Sequence, residues 1–75
     1  MGCAPMIEEG DVLIRSLDST YLVLDAVSHR ALDGPFDAFA DALAAALAFV
    51  RPGRTVWQEN TDNRGRPLGP PMRIV

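Results

Sequence analysis

The most regular apolar pattern in the chain runs from Pro35 to Arg51, PFDAFADALAAALAFVR. It is rich in alanine and leucine, which are strong helix formers. With Asp33 as a cap, Pro35 suits the first helical position, and Pro52-Gly53 ends the pattern. At about 100° per residue, the bulky apolar positions fall on one stripe, which consists of Phe36, Phe39, Ala40, Leu43, Leu47 and Val50. The sequence therefore predicts one helix over 35–51.

A second set of mostly small apolar residues extends this stripe around the helix: Ala38, Ala42, Ala45, Ala46 and Phe49. The remaining polar strip consists of Asp37, Asp41 and Arg51, with Ala44 and Ala48 between them. Asp37 and Asp41 lie one turn apart, and we interpret them as a solubilising strip rather than as paired carboxylates. The alanine face is either simply exposed or covered by a partner subunit, and both interpretations stay open.

Two runs rich in strand-forming residues precede the helix, DVLIRSL at 11–17 and YLVLDAV at 21–27. The three polar residues between them predict a hairpin. In the second run, Leu22, Leu24 and Ala26 are expected to face the helix, because side chains alternate along a strand. Residues 28–34 are predicted to be a loop, and 54–60 a third strand.

After a turn at 61–65, the segment 66–75 contains three prolines, which do not fit a central strand. We expect it to be an extended tail or an edge strand, and residues 1–10 to be an irregular lead-in. The prediction is a single small α+β domain over 1–75, with an antiparallel sheet of three to four strands and one helix packed across it. The element order is β-β-α-β, with an optional last strand.

Composition limits how so small a domain is stabilised. The 75 residues include one cysteine, Cys3, and one histidine, His29, which excludes an internal disulfide and a zinc finger. A short chain buries too little surface to be stable easily, so a homodimer is expected. No apolar run reaches the length of a membrane span, and the first ten residues do not resemble a signal peptide. We therefore expect a cytoplasmic protein without a membrane partner.

Charge is distributed unevenly around a net value of −3. Residues 1–50 carry eight acidic and two basic side chains, whereas 51–75 carry five arginines and two acids. This layout lets the basic tail of one subunit meet the acidic half of another.

Few residues suggest catalysis or metal binding. Cys3 with His29 has the composition of a nucleophile and its base, but the lead-in offers no fixed pocket for a reactive thiol. Asp25, His29 and Asp33 are metal-ligand types, yet they follow a strand into a loop rather than along one helix face. Common catalytic and phosphate-binding motifs do not occur. We therefore predict no catalytic site, no metal and no cofactor.

A nucleic-acid surface is the alternative function. Trp57 offers a stacking platform, and Arg54, Arg64 and Arg66 offer cations near it. The competing interpretation buries Trp57 in the core or in a dimer interface. The net negative charge also opposes binding to phosphates.

The strand YLVLDAV, the Gly34-Pro35 loop, the alanine-rich helix and the NRGRP turn at 63–67 resemble small bacterial ββαββ domains of unknown function. The strand–loop–helix part is loosely similar to HicB-type antitoxin domains. Those have three consecutive strands before their second helix, where this sequence predicts two. The resemblance, over about 20–66, therefore implies the fold and a habit of dimerising, but not antitoxin activity.

The sequence thus favours a non-catalytic homodimeric interaction or regulatory module. The expected interface consists of Ala38, Ala42, Ala45, Phe49 and Trp57.

Overall fold

The structure, a computed structural model, describes residues 7–62 and 64–74. They form a five-stranded sheet with one helix on one of its faces. In chain order the elements are β1 (Val12–Leu17), β2 (Thr20–Asp25), β3 (Ala31–Phe36), α1 (Phe39–Phe49), β4 (Val56–Asn60) and β5 (Met72–Arg73). The α+β class is confirmed, with slightly more strands than expected.

The sheet is mixed, whereas the sequence predicts an antiparallel one. Its strand order is β3-β2-β1-β4-β5, and β1 lies parallel to β4. The chain first builds the antiparallel meander β1-β2-β3 and then crosses back through α1. A crossover connection of this kind is what a parallel pair requires. It brings β4 to the far side of β1, and β5 then adds antiparallel to β4.

The predicted loop at 28–34 is wrong for its second half, because β3 occupies 31–36. Gly34 has a φ of +107°, and a Cβ there would lie 3.1 Å from the carbonyl oxygen of Tyr21. Glycine is therefore required where β3 passes β2. Pro35 is tolerated because β3 is at the sheet edge. A Gly-Pro pair usually indicates a turn, so the strand was hidden in the sequence, and three strands precede the helix.

The helix is shorter than predicted, beginning at Phe39 rather than at Pro35 and ending at Phe49 rather than at Arg51. Pro35 belongs to β3, and Asp33 accepts a bond from the Gly34 N–H rather than capping the helix. The N-cap is Ala38, which makes no side-chain bond. Apolar burial rather than capping therefore fixes the start of this helix.

The helix side of the sheet carries one apolar cluster, formed by Val12, Ile14, Val23, Ala42, Ala46 and Val56. Tyr21 joins it and meets Phe39 edge to face, with ring centroids 5.7 Å apart. The predicted facing of the second strand is therefore wrong, because Val23 rather than Leu22 and Leu24 lies under the helix. Both alternating sets of side chains in this strand are largely apolar, so the sequence alone did not decide which set faces the helix.

We call the opposite surface of the sheet the back face. It carries a second cluster of Leu13, Leu24, Ala26 and Trp57, with Ile7 and Leu22 packed against it. The sheet is thus buried in part on both faces, as the doubly apolar strands indicate. Within the described residues, no helix is long and apolar enough to cross a membrane.

Candidate interaction surface

The five residues predicted for an interface do not lie on one surface. Ala42 is fully buried against the sheet, and Ala45 is partly buried in the same core. Ala38 and Phe49 are exposed, while Trp57 is buried on the back face. The alanine side of α1 faces its own sheet because small side chains let the helix approach closely. It therefore offers a partner little surface.

The exposed side of α1 is instead the predicted polar strip together with its neighbours. Asp37 and Asp41 are exposed near the helix start. Leu47 is 46% exposed although it belongs to a large apolar type. We call the apolar part of this surface the outer helix face; its residues recur at helical spacing and are Ala40, Ala44, Leu47 and Ala48.

The predicted nucleic-acid residues do not form an exposed stacking surface. Trp57 is only 3% exposed, and its indole nitrogen donates to Asp11 at 2.9 Å. Arg54 pairs with Glu8 at 2.8 Å. Arg64 and Arg66 are exposed in the connection between β4 and β5. The arginines therefore have no accessible indole beside them on which a base would stack.

Asp11 is an organising residue of the back face that the sequence did not reveal. One carboxylate oxygen accepts from the Thr55 N–H at 2.8 Å, and the other from the Glu8 N–H and the Trp57 indole at 2.9 Å each. Burial alone would raise the pKa of Asp11. These three hydrogen bonds and the nearby charge of Arg54 outweigh that effect and lower the pKa below 3.8.

The sequence signal for Asp11 was weak, because an acidic residue before a strand is common. Its partners Thr55 and Trp57 lie more than forty positions later. They reach it only because β1 and β4 are parallel and Val12 is in register with Val56. This long-range pairing was not predicted.

The histidine hypotheses are not supported by the positions of the described residues. His29 Nδ1 lies 3.5 Å from a guanidinium nitrogen of Arg15, whose Nε donates to Glu59 at 2.8 Å. Among the described residues, His29 therefore lies at the edge of a partly buried ion pair. Cys3 lies outside the described residues.

The two aspartates that are metal-ligand types by composition accept hydrogen bonds from nearby backbone N–H groups. Asp25 accepts from the Ser28 and Val27 N–H groups at 2.9 Å, and these bonds lower its pKa. Asp33 accepts from the Gly34 N–H at 2.8 Å. Within residues 7–62 and 64–74, no group of three ligand-type side chains is placed to hold a metal.

An acid-rich cleft lies where β1 begins and α1 ends. Its volume is about 220 Å³, and its lining includes Glu9, Asp11, Asp25, Phe49 and Arg51. Asp11 and Asp25 already accept hydrogen bonds from the protein, and the charges of Arg54 and Arg51 act on Asp11 and Asp25 respectively. The cleft is therefore largely satisfied by its own residues.

A second groove lies beside β5, on the part of the helix side that α1 leaves open. Its volume is about 250 Å³, and it is lined by Gln58, Asn60, Leu68, Gly69, Pro70 and Met72. Leu68 and Met72 are 67% and 57% exposed. Apolar side chains exposed to this degree beside a sheet edge indicate a surface suited to a partner.

No family model, curated protein or solved structure matches this chain. Its function therefore has to be inferred from these surfaces.

Proposed function

We propose that this chain is a small non-catalytic interaction module that acts as a homodimer in the cytoplasm. The observation that carries the proposal is the outer helix face, where an exposed leucine stands among exposed alanines. Since the inner alanines are used by the sheet, this outer surface replaces the interface expected from the sequence.

The outer helix face is complementary to itself. When two antiparallel helices cross at Ala44, Leu47 lies about 4.5 Å further along one axis. It then reaches the gap between Ala40 and Ala44 of the second copy, and the reverse contact forms by symmetry. Small residues leave a hole that a leucine fills, which is the geometry of ridges packed into grooves. Such a two-fold contact closes on itself and stops at a dimer.

Size supports the same proposal. A chain of this length buries only about 60% of its unfolded surface, so added apolar burial is valuable. Covering Leu47 and Ala44 costs little desolvation free energy, because neither side chain is charged. The resemblance to HicB-type domains stays a prediction and carries no part of this proposal.

Sedimentation equilibrium at low micromolar concentration tests the dimer. We expect the unmodified chain to show twice the monomer mass, and Ala44→Glu to show the monomer mass, because it places two carboxylates at the crossing point. Val27→Glu is the matched control, since Val27 is an exposed apolar residue in the β2–β3 turn. If the unmodified chain is a stable folded monomer at this concentration, the proposal is refuted.

The alternative, nucleic-acid binding, has less support. Arg64 and Arg66 are exposed, but the stacking residue Trp57 is buried. Without an aromatic platform, binding would depend on phosphate contacts alone and would fall steeply with salt. A titration with single-stranded and duplex DNA at low salt tests this alternative directly.

A further inference from the structure

The open edge of the sheet at β5 presents backbone groups for pairing. The Ile74 N–H donates to the Val56 carbonyl, so Ile74 and Met72 direct their backbone groups toward β4. Arg73, between them, directs its N–H and C=O to the free edge. Pro71 has no N–H to offer there. Among the described residues of this edge, Arg73 is therefore the one that can exchange two hydrogen bonds with an added strand.

Side chains at this edge differ between the two faces. Arg73 is in register with Trp57 and lies on the back-face side, whereas Met72 is in register with Gln58 and borders the groove. An added strand would thus place one residue beside the guanidinium. Its neighbours in sequence would point to the other face, beside Met72 and the exposed Leu68.

The β5 strand and the connection that leads to it from β4 carry three arginines, although the chain as a whole is negative. Arg64, Arg66 and Arg73 are exposed. Within the described ranges, ion pairs join Arg15 to Glu59 and Arg54 to Glu8, and none involves these three arginines. Asp62, the nearest acid in sequence, accepts bonds from the backbone of Arg64 and Arg66. Three guanidinium groups therefore remain to attract an acidic partner.

A second β5 strand is a poor occupant. Because Arg73 is the residue that faces the edge, two antiparallel copies would be centred on it. Their guanidinium groups would then stand directly opposite each other, which destabilises a strand pair. The occupant must instead carry an acidic residue at that position.

We propose that the β5 edge binds an extended segment of another protein as a sixth strand, with an acidic residue opposite Arg73 and apolar residues on either side of it in the groove. This is strand addition, in which main-chain bonds give affinity and alternate side chains give specificity. The inference rests on the proposed role as an interaction module, but it does not depend on the dimer. The prolines at 70–71 confine pairing to one register, which protects the edge from open-ended association.

Fluorescence anisotropy with labelled peptides tests the proposal. The probe is GELEVEG, whose glutamates and apolar residues alternate, and the controls are GLEEEVG, with the same composition in another order, and the basic GKLKVKG. We expect GELEVEG to bind at least about tenfold more tightly than either control. N-methylation of its central glutamate, which removes the paired N–H, should reduce affinity by a similar factor.

The Arg73→Glu variant reverses the charge at an exposed two-residue strand, so the fold should persist; Arg73→Gln is the second variant. We expect Arg73→Glu to lose at least about tenfold affinity for GELEVEG and to gain affinity for GKLKVKG. Unchanged affinity in both variants, or equal binding of GLEEEVG, would overturn the proposal. Binding of an oligothymidine in place of GELEVEG would overturn it in favour of nucleic acid.

Amide chemical-shift changes in a ¹⁵N-labelled sample locate the site. Shifts are expected at Arg73 and Met72, and shifts confined to the outer helix face would contradict the assignment. The same titration on Ala44→Glu separates the two proposals, because this variant is expected to be a monomer that still binds the peptide. Peptide binding by an unmodified chain that sediments as a monomer would refute the dimer alone, whereas an unmodified dimer that ignores the peptide would refute only strand addition.

Discussion

The helix side and the back face of the sheet bury their apolar residues in different ways. On the helix side, Ile14 and Val23 lie under the small residues Ala42 and Ala46 of a regular helix. On the back face, Leu13 and its neighbours are buried with Trp57, whose indole is tied to a carboxylate. One face is closed by a second layer of secondary structure and the other by a polar hub, so the two depend on different forces.

The largest expected effect comes from adjacent residues that point to opposite faces. Leu13 and Ile14 are both fully buried. Truncating either to alanine removes apolar contacts and leaves a cavity, which costs about 2 to 5 kcal/mol of unfolding free energy. Urea unfolding of Leu13→Ala and Ile14→Ala measures the two costs side by side.

Similar losses would show that the back face is packed as tightly as the helix side. Leu17→Ala is a control in the same strand, because Leu17 is only partly buried. A cost below about 1 kcal/mol for Leu13→Ala would contradict the comparison and mean that the back face collapses around the change.

The next effect tests the polar hub itself. Asp11→Ala leaves the buried Trp57 indole and the partly buried Thr55 N–H without their acceptor. Losing hydrogen bonds to a charged group and leaving donors unsatisfied should cost about 3 kcal/mol. Thermal or urea unfolding measures it, with the exposed Asp41→Ala as control at about 0.5 kcal/mol or less. Equal effects of the two variants would show that the hub does not hold the back face.

The smallest effect is the pH dependence of the same hub. Because the pKa of Asp11 is lower in the folded than in the unfolded chain, its contribution is complete above its ordinary pKa of 3.8. As the pH falls below that value, the unfolded chain takes up the proton first, and stability is lost until the pH passes the folded pKa. The pKa of Asp25 is also lowered, so its contribution to the stability of the fold is likewise lost as the pH falls.

Unfolding midpoints measured from about pH 7 to about pH 3 follow this loss. Asp11→Asn should flatten the acid part of the curve, and Asp25→Asn should flatten it as well. If the Asp11→Asn curve runs parallel to that of the unmodified chain, the hub is not the acid-sensitive element.

Much of the fold was predictable because hydrophobic period alone carries it. The strand runs at 11–17, 21–27 and 54–60 correspond to β1, β2 and β4, and the alanine-rich segment contains the helix. The hydrophobic period does not show which face of a strand or helix meets the core when both faces are apolar. That is why the sequence placed Leu22 and Leu24, rather than Val23, under the helix.

Other features were not predicted because the same local residue pattern is compatible with two different structures. The Gly34-Pro35 pair predicts a turn, but glycine and proline also suit a bulged edge strand, and the pair lies in such a strand. The alanines of the helix indicate an exposed surface or a subunit interface, but alanine also allows a helix to pack closely against its own sheet. Only tertiary structure decides between these alternatives.

The candidate surfaces were the least predictable part. Trp57 and Arg64 are seven positions apart, yet one is buried and the other exposed. The edge position of Arg73 depends on strand order, which depends in turn on the parallel pairing of β1 with β4. Sequence reasoning treated the tail as one segment and did not separate its two faces.

The parallel pairing of β1 with β4 also has a kinetic consequence. Strands β1, β2 and β3 and helix α1 are consecutive, so they need only short loop closures to meet. The Asp11 bonds to Thr55 and Trp57 span more than forty residues and form only when β4 arrives. Folding should therefore end with the docking of β4, since non-local pairing is the slow event in small domains. The back face would be the last region to exclude water, and the first to admit it when the chain opens.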